Sequence, residues 1–215
     1  MKIYRLIISA DNGIQAITDT PPKELLNRNL YSDYKFDCIN SIIWDLDKGA
    51  KATDVVNVGT LSLDGFAINK KVFDILNNFN LLKIQFVDIV ETDMKDYKFM
   101  FFNSDLTSKL DYERSGFRLV EDMLGDITEL DIKVPKNREA VLSAYDNYCV
   151  EDIFCRLTPG NGYHFLPDLN IYEWDVFRIG HFDMSFYISE RVKTMLEQKH
   201  ITGVEFVEEP LFNIL

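Results

Sequence analysis

Cysteine and histidine are scarce in this chain, three of each in 215 residues. Cys38, Cys149 and Cys155 make no CxxC pair, which argues against a zinc knuckle and a thioredoxin-type redox site. They read as three small hydrophobes in a reducing compartment. Bases are also short, 23 Lys and Arg against 35 Asp and Glu, for a net charge of −12. Binding to a duplex rests on cations that displace counterions from phosphates, so this balance argues against nucleic acid and anionic lipid as partners and favours a basic one. Long apolar runs are missing as well. Nothing approaches the roughly 20 residues that span a bilayer. The start, MKIYRLIISADNG, is basic like a signal peptide, but its apolar stretch from Leu6 stops at Asp11 after Ala10. That is shorter than the roughly 7–15 residues of a signal core, so a cytoplasmic location is expected.

Catalytic motifs are absent too. There is no P-loop, no GxSxG elbow and no HExxH. Gly160-Asn161-Gly162 has Phe165 where a dinucleotide fingerprint needs its third glycine, so it reads as a turn. Three weaker arrangements remain. His181 and Asp183 would share one face of a strand, Cys149 and His164 could pair as nucleophile and base, and His200 suits the C-terminal end of a helix dipole. The expectation is a protein that is not an enzyme and has no cofactor, no metal and no catalytic residues.

What is present is a well-packed α+β pattern, 47% apolar and 27% charged, with no linker or low-complexity tract to divide it. Residues 3–8 read as a strand and 11–13 as a turn. Asn69 caps a helix whose buried stripe is Val72, Phe73, Leu76 and Phe79, and Leu82 to Val90 alternates as a strand. Tyr97 to Phe102 is aromatic enough for a central strand, Tyr112 to Ser115 reads as a polar connection, and Ile127 to Val134 alternates again. A helix carrying Ala140, Val141, Leu142 and Tyr145 follows Pro135, and short strands are expected near 153–157 and 174–179.

The chain also matches itself at an offset of 120. Phe66, Ile68, Val72, Leu76, Phe86 and Val87 fall on Phe186, Ile188, Val192, Leu196, Phe206 and Val207 without a gap. Every identity is apolar. The expectation is a duplicated helix–strand unit at about 66–90 and 186–210, within one domain spanning 1–215 that has two related halves, 1–95 and 96–215.

The acids cluster. Glu121, Asp122, Asp126, Glu129 and Asp131 lie close together with no Lys or Arg between Leu119 and Ile132. A second group is Asp88, Glu91, Asp93 and Asp96, with Lys95 its one base. Crowded carboxylates repel one another, so these nine are the candidate binding residues for a basic partner.

Ile188-Ser189-Glu190-Arg191-Val192-Lys193, then Leu196, then Ile201-Thr202-Gly203-Val204-Glu205-Phe206, resembles the C-terminal signature of a family of bacterial immunity proteins. These are the antitoxins of polymorphic toxin systems, used in bacterial competition. Val176 to Ile179, Tyr97 to Asn103 with Asp111 and Ser115, and Asp64 through Val87 are similar to upstream features of that family. The resemblance spans about 55–210. It implies a cytoplasmic protein that neutralises a toxin by covering its active site, through protein–protein interaction and without catalysis. Its matched residues, Ser189, Glu190, Arg191, Gly203, Glu205 and Phe206, are framework: Ser189 as helix cap, Glu190 and Arg191 in the first turn, and Gly203 in the turn before a strand. Other readings stay open, namely an enzyme that reverses a toxin's modification and a general acidic adaptor.

The repeat predicts that Val72, Leu76, Val192 and Leu196 are core. Leu196→Ala is therefore expected to cost about 2–5 kcal/mol. Urea denaturation measures it, and a variant as stable as the parent would place the core elsewhere.

Overall fold

A computed structural model describes residues 2–8, 41–42, 52–57, 65–90, 94–123, 126–150, 152 and 154–212. The turn at 11–13, Cys38, Glu91 and Asp93 lie outside them. The fold is α+β, with four α-helices among the described residues: α1 (Lys70–Leu76), α2 (Tyr112–Ser115), α3 (Arg138–Tyr148) and α4 (Glu190–Gln198). A four-stranded sheet has β1 (Ile3–Ile8) between β12 (Val204–Glu208) and β11 (Asp183–Ser189), with β10 (Val176–Gly180) outside β11. A second sheet runs β2 (Ser41–Ile42), β5 (Ile84–Ile89), β6 (Tyr97–Phe102), β4 (Gly65–Asn69), β3 (Val55–Val56). Its pairs are antiparallel except β2 on β5. A small third sheet has β7 (Phe117–Met123) between β8 (Asp126–Glu129) and β9 (Cys155–Pro159).

The two matched spans each contain strand, helix and strand: β4–α1–β5 and β11–α4–β12. Asn69 and Ser189 are the N-caps, each accepting from a backbone N–H three residues on, Val72 and Val192. Phe66 and Ile68, like Phe186 and Ile188, belong to the strands before the helices rather than to the helices themselves. Their spacing of two puts them on one face of a pleated strand. Pairing matches as well. Val55 opposes Ile68 and Val176 opposes Ile188. Phe66 and Phe86 flank Met100 of β6, and Phe186 and Phe206 flank Leu6 of β1. The middle strand of the second unit thus comes from the opposite end of the chain. A division into 1–95 and 96–215 therefore does not follow the sheets, because β6 pairs back to β4 and β5 while β1 pairs forward to β11 and β12.

Two aspartates tie the units together. Asp54, just before β3, accepts from the Asn69 side-chain amide at 2.7 Å and from the Thr202 N–H and hydroxyl at 2.8 and 2.9 Å. Asp175, just before β10, accepts from the Ser189 hydroxyl at 2.6 Å, the Asn80 N–H at 3.1 Å and the Arg191 guanidinium at 2.8 Å. Each carboxylate thus links its own unit's helix cap to the other unit's helix–strand loop. Gly203 sits beside Thr202 with φ +88, and a Cβ there would lie 2.1 Å from the Val55 carbonyl oxygen, so glycine is required.

Period-2 alternation lets the four-stranded sheet serve two cores. Tyr4, Leu6, Val176 and Ile188 face the first, with Phe66, Val72, Leu76, Met100, Val192 and Leu196. Ile3, Phe177, Ile179 and Tyr187 face the second, with α3 and the third sheet. Tyr112 to Ser115 is a helical turn and not a connection, because Asp111 caps it and Gly116 at φ +60 ends it. The alternation read from Ile127 stops at Glu129. Leu130 and Ile132 pack on the second core outside any strand.

Burial opposes ionisation of Asp54, but its hydrogen-bond donors and Lys71 outweigh that and bring its pKa below the ordinary 3.8. A depressed folded pKa contributes stability that is present above about pH 4 and lost as pH falls through the folded value. Asp54→Asn should accordingly flatten that part of the acid limb of a stability–pH curve. Asp175→Ala, which leaves the buried Ser189 hydroxyl without its acceptor and releases the Asn80 loop, should cost about 1–3 kcal/mol by urea denaturation. A neutral result at Asp175 would remove this bracket as a stabilising feature.

Candidate functional site

A cleft of about 850 Å³ lies between the four-stranded sheet and the third sheet. Arg5, Asp183, Ser185 and Tyr187 lie along its floor, Arg118, Val120 and Arg156 along one wall, and Tyr145, Cys149 and Cys155 along another. At its base the Asp183 carboxylate accepts from the phenols of Tyr163 and Tyr187, the second at 2.6 Å, and from the Ser185 N–H at 3.0 Å. Burial first, and the Asp183 charge second, hold both phenols well above their ordinary pKa. They stay protonated and donate. This carboxylate is fully employed by the fold and is not a free base.

Beside it, Glu209 is 9% exposed and accepts weakly from the Leu211 N–H at 3.3 Å. Burial pushes its carboxyl above the ordinary 4.5, against the opposing pull of that N–H and of Arg5. The Nε of Arg5 is shielded from solvent without a hydrogen-bond partner. No local pattern announces this cleft, since its floor joins residues from the two ends of the chain.

The His181–Asp183 and Cys149–His164 pairings weighed in the sequence are not made. His181 is in the tight turn between β10 and β11 at φ +50, with Nε2 3.5 Å from Asp146 Oδ1. Burial lowers its pKa, which favours the neutral ring. The Asp183 carboxylate is engaged by phenols instead. Cys149 lies with Sγ 3.0 Å from that of Cys155, and burial foremost pushes its thiol up to about 12. The His164 ring contacts the Asn161 carbonyl at 3.2 Å. Among the described residues no three His, Cys, Asp or Glu side chains are grouped to hold a metal ion. The Gly160–Gly162 segment is a turn, with Asn161 donating to the Arg114 carbonyl.

Among the described residues, the acidic candidates are on the surface of the third sheet and at one end of the second. Asp126, Glu129 and Asp131 are exposed, Glu121 and Asp122 half-buried, and Asp88 and Asp96 exposed. Their isolation from bases holds only along the sequence. Arg118 from β7 reaches Glu129 at 2.6 Å, Arg156 from β9 reaches Asp122 at 3.1 Å, and Lys98 from β6 contacts Asp88. Antiparallel pairing brings these bases across the sheets, which spacing along the chain does not reveal. The first cluster has apolar company that sequence reasoning missed. Met123, Ile127, Val150 and Phe154 are 49%, 67%, 57% and 39% exposed, and Phe154 accepts from the Asp122 N–H through its backbone. All four residues of the edge strand β8 are exposed.

Ser189 caps α4, Glu190 and Arg191 begin it, Gly203 turns the chain, and Glu205 and Phe206 lie in β12. No helix among the described residues is long and apolar enough to cross a membrane. No family model matches the chain, and no curated protein matches it.

Because Glu209 is harder to ionise folded than unfolded, it weakens the native state progressively as pH rises above about 4.5, and not below. Glu209→Gln should thus raise Tm at pH 7 and leave it unchanged near pH 4. An equal change at both pH values would deny this cost of ionisation.

Proposed function

We propose that this chain is a non-enzymatic immunity protein that neutralises a basic toxin domain by docking on it and covering its active site. The observation that carries this reading is the exposed end of the third sheet. There Ile127 and Met123 stand clear of the fold on a β7–β8 hairpin, among carboxylates that outnumber their bases. An apolar centre with a charged surround is the composition of a protein-binding patch, and the negative surround speeds encounter with a cation-rich active site. The edge of β8 adds backbone groups that a partner strand can pair with. The net charge of −12 and the C-terminal resemblance agree with the same reading.

The test is to examine the neighbouring gene for a large secreted protein ending in a toxin domain and to co-purify this chain with that domain, followed by association kinetics. Asp126→Lys with Asp131→Lys leaves the Arg118–Glu129 and Arg156–Asp122 pairs in place. The double variant is expected to associate about tenfold more slowly at low salt, with a shallower salt dependence and unchanged folding. Ile127→Asp should raise the dissociation rate. Parent-like kinetics in both variants would move the docking surface elsewhere, and failure of the parent to bind would overturn the immunity reading itself.

A further inference from the structure

The scarcity of cysteine conceals an arrangement that no spacing motif announces. Cys149 ends α3 as its C-cap, and Cys155 is the first residue of β9. Both are free thiols, 9% and 7% exposed, and their sulfurs are 3.0 Å apart on the wall of the cleft. Two thiols in ordinary van der Waals contact would stand further apart, and little movement separates this geometry from a covalent bond of about 2.05 Å. Neighbouring contacts hold both ends. The Cys149 N–H donates to Tyr145 at 2.8 Å within α3, while Cys155 is paired with Glu121 of β7.

We propose that Cys149 and Cys155 form a dithiol modification site, converted to an intramolecular disulfide by a low-molecular-weight disulfide such as oxidised glutathione. In the first step one cysteine, as thiolate, attacks a sulfur of the reagent. The reagent's S–S bond breaks, a mixed disulfide forms, and one reagent thiolate leaves to take up a proton. In the second step the other cysteine attacks the protein sulfur of that mixed disulfide. The protein S–S bond forms and a second reagent thiol departs. The protein loses two electrons and two protons, and one reagent disulfide becomes two thiols. Either thiol can open the sequence, because the sulfurs are 3.0 Å apart and the second lies within reach of whichever one carries the reagent. The cleft provides entry for the reagent. Oxidation would staple the end of α3 to the strand beside β7, closing a loop that carries the exposed Val150 and Phe154. This inference stands independently of the immunity reading, since it concerns the covalent state of the chain alone.

The experiment incubates the folded full-length protein, with Cys38→Ser to remove the third thiol, with oxidised glutathione at neutral pH. Intact mass and thiol titration in denaturant follow the product. The expected result is loss of two hydrogens, a fall from two titratable thiols to none, and a non-reducing peptide map joining Cys149 to Cys155, all reversed by dithiothreitol. Cys149→Ser should instead stop at a single glutathione adduct on Cys155. Persistence of two free thiols, stable adducts on both cysteines without a bridge, or a bridge between molecules would overturn the proposal. A Cys149→Ala variant, which creates no new hydroxyl in the core, provides the same arrest at Cys155 should the serine form fail to fold.

Discussion

The fold depends on a reciprocal carboxylate bracket. Asp54 and Asp175 each hold the capping side chain of a helix with one oxygen and, with the other, fasten the loop of the opposite unit. A buried carboxylate is costly unless its lone pairs are taken up, and both here have three or more donors. The apolar matches fill the space between the units, but area burial is indifferent to direction and would tolerate one unit sliding on the other. Directional hydrogen bonds at Thr202 and Asn80 fix the register in which Val72 and Leu76 meet Val192 and Leu196. Packing then supplies most of the stabilisation, and the aspartates select the geometry in which it is gained.

Much of this was legible in the sequence because helix capping and buried-face periodicity are local. Asn69, Ser189, Leu196 and Gly203 have the roles their neighbours along the chain dictate. Where reading failed, the cause was non-local. β7 hides its alternation because Leu119 and Val120 are both buried and the charged pair Glu121 and Asp122 follows them directly. The acidic cluster looked free of bases because Arg118 and Arg156 arrive from neighbouring strands. The cleft floor and the Asp183 phenol pair were invisible for the same reason. Tyr163 and Tyr187 reach one carboxylate only after the second core closes.

The candidate site has two parts with different physics. At the base of the cleft, polar groups are largely paired with one another, and the aromatic packing of Phe177, Tyr187 and Phe212 around them makes that region rigid. At the end of the third sheet the opposite holds, with apolar side chains exposed and carboxylates only partly matched. Surface ion pairs such as Arg118–Glu129 contribute at most about 1 kcal/mol, so rearranging them on contact with a partner costs little. Adaptable charge over a stiff support suits recognition of a protein surface.

The exchange of middle strands has a kinetic consequence. β6 lies close in sequence to β4 and β5, so the first unit closes its sheet through short loops. β1 must find β11 and β12 across nearly the whole chain, and closing such a loop carries a larger entropic cost before any pairing compensates it. Two units with the same pairing scheme are thus expected to assemble in sequence rather than together, the first nucleating on local contacts and the second waiting for its partner strand. Until that strand arrives, the facing edges of β11 and β12 remain unpaired, which makes their closure the step at which a folding chain is most open to pairing with a neighbour.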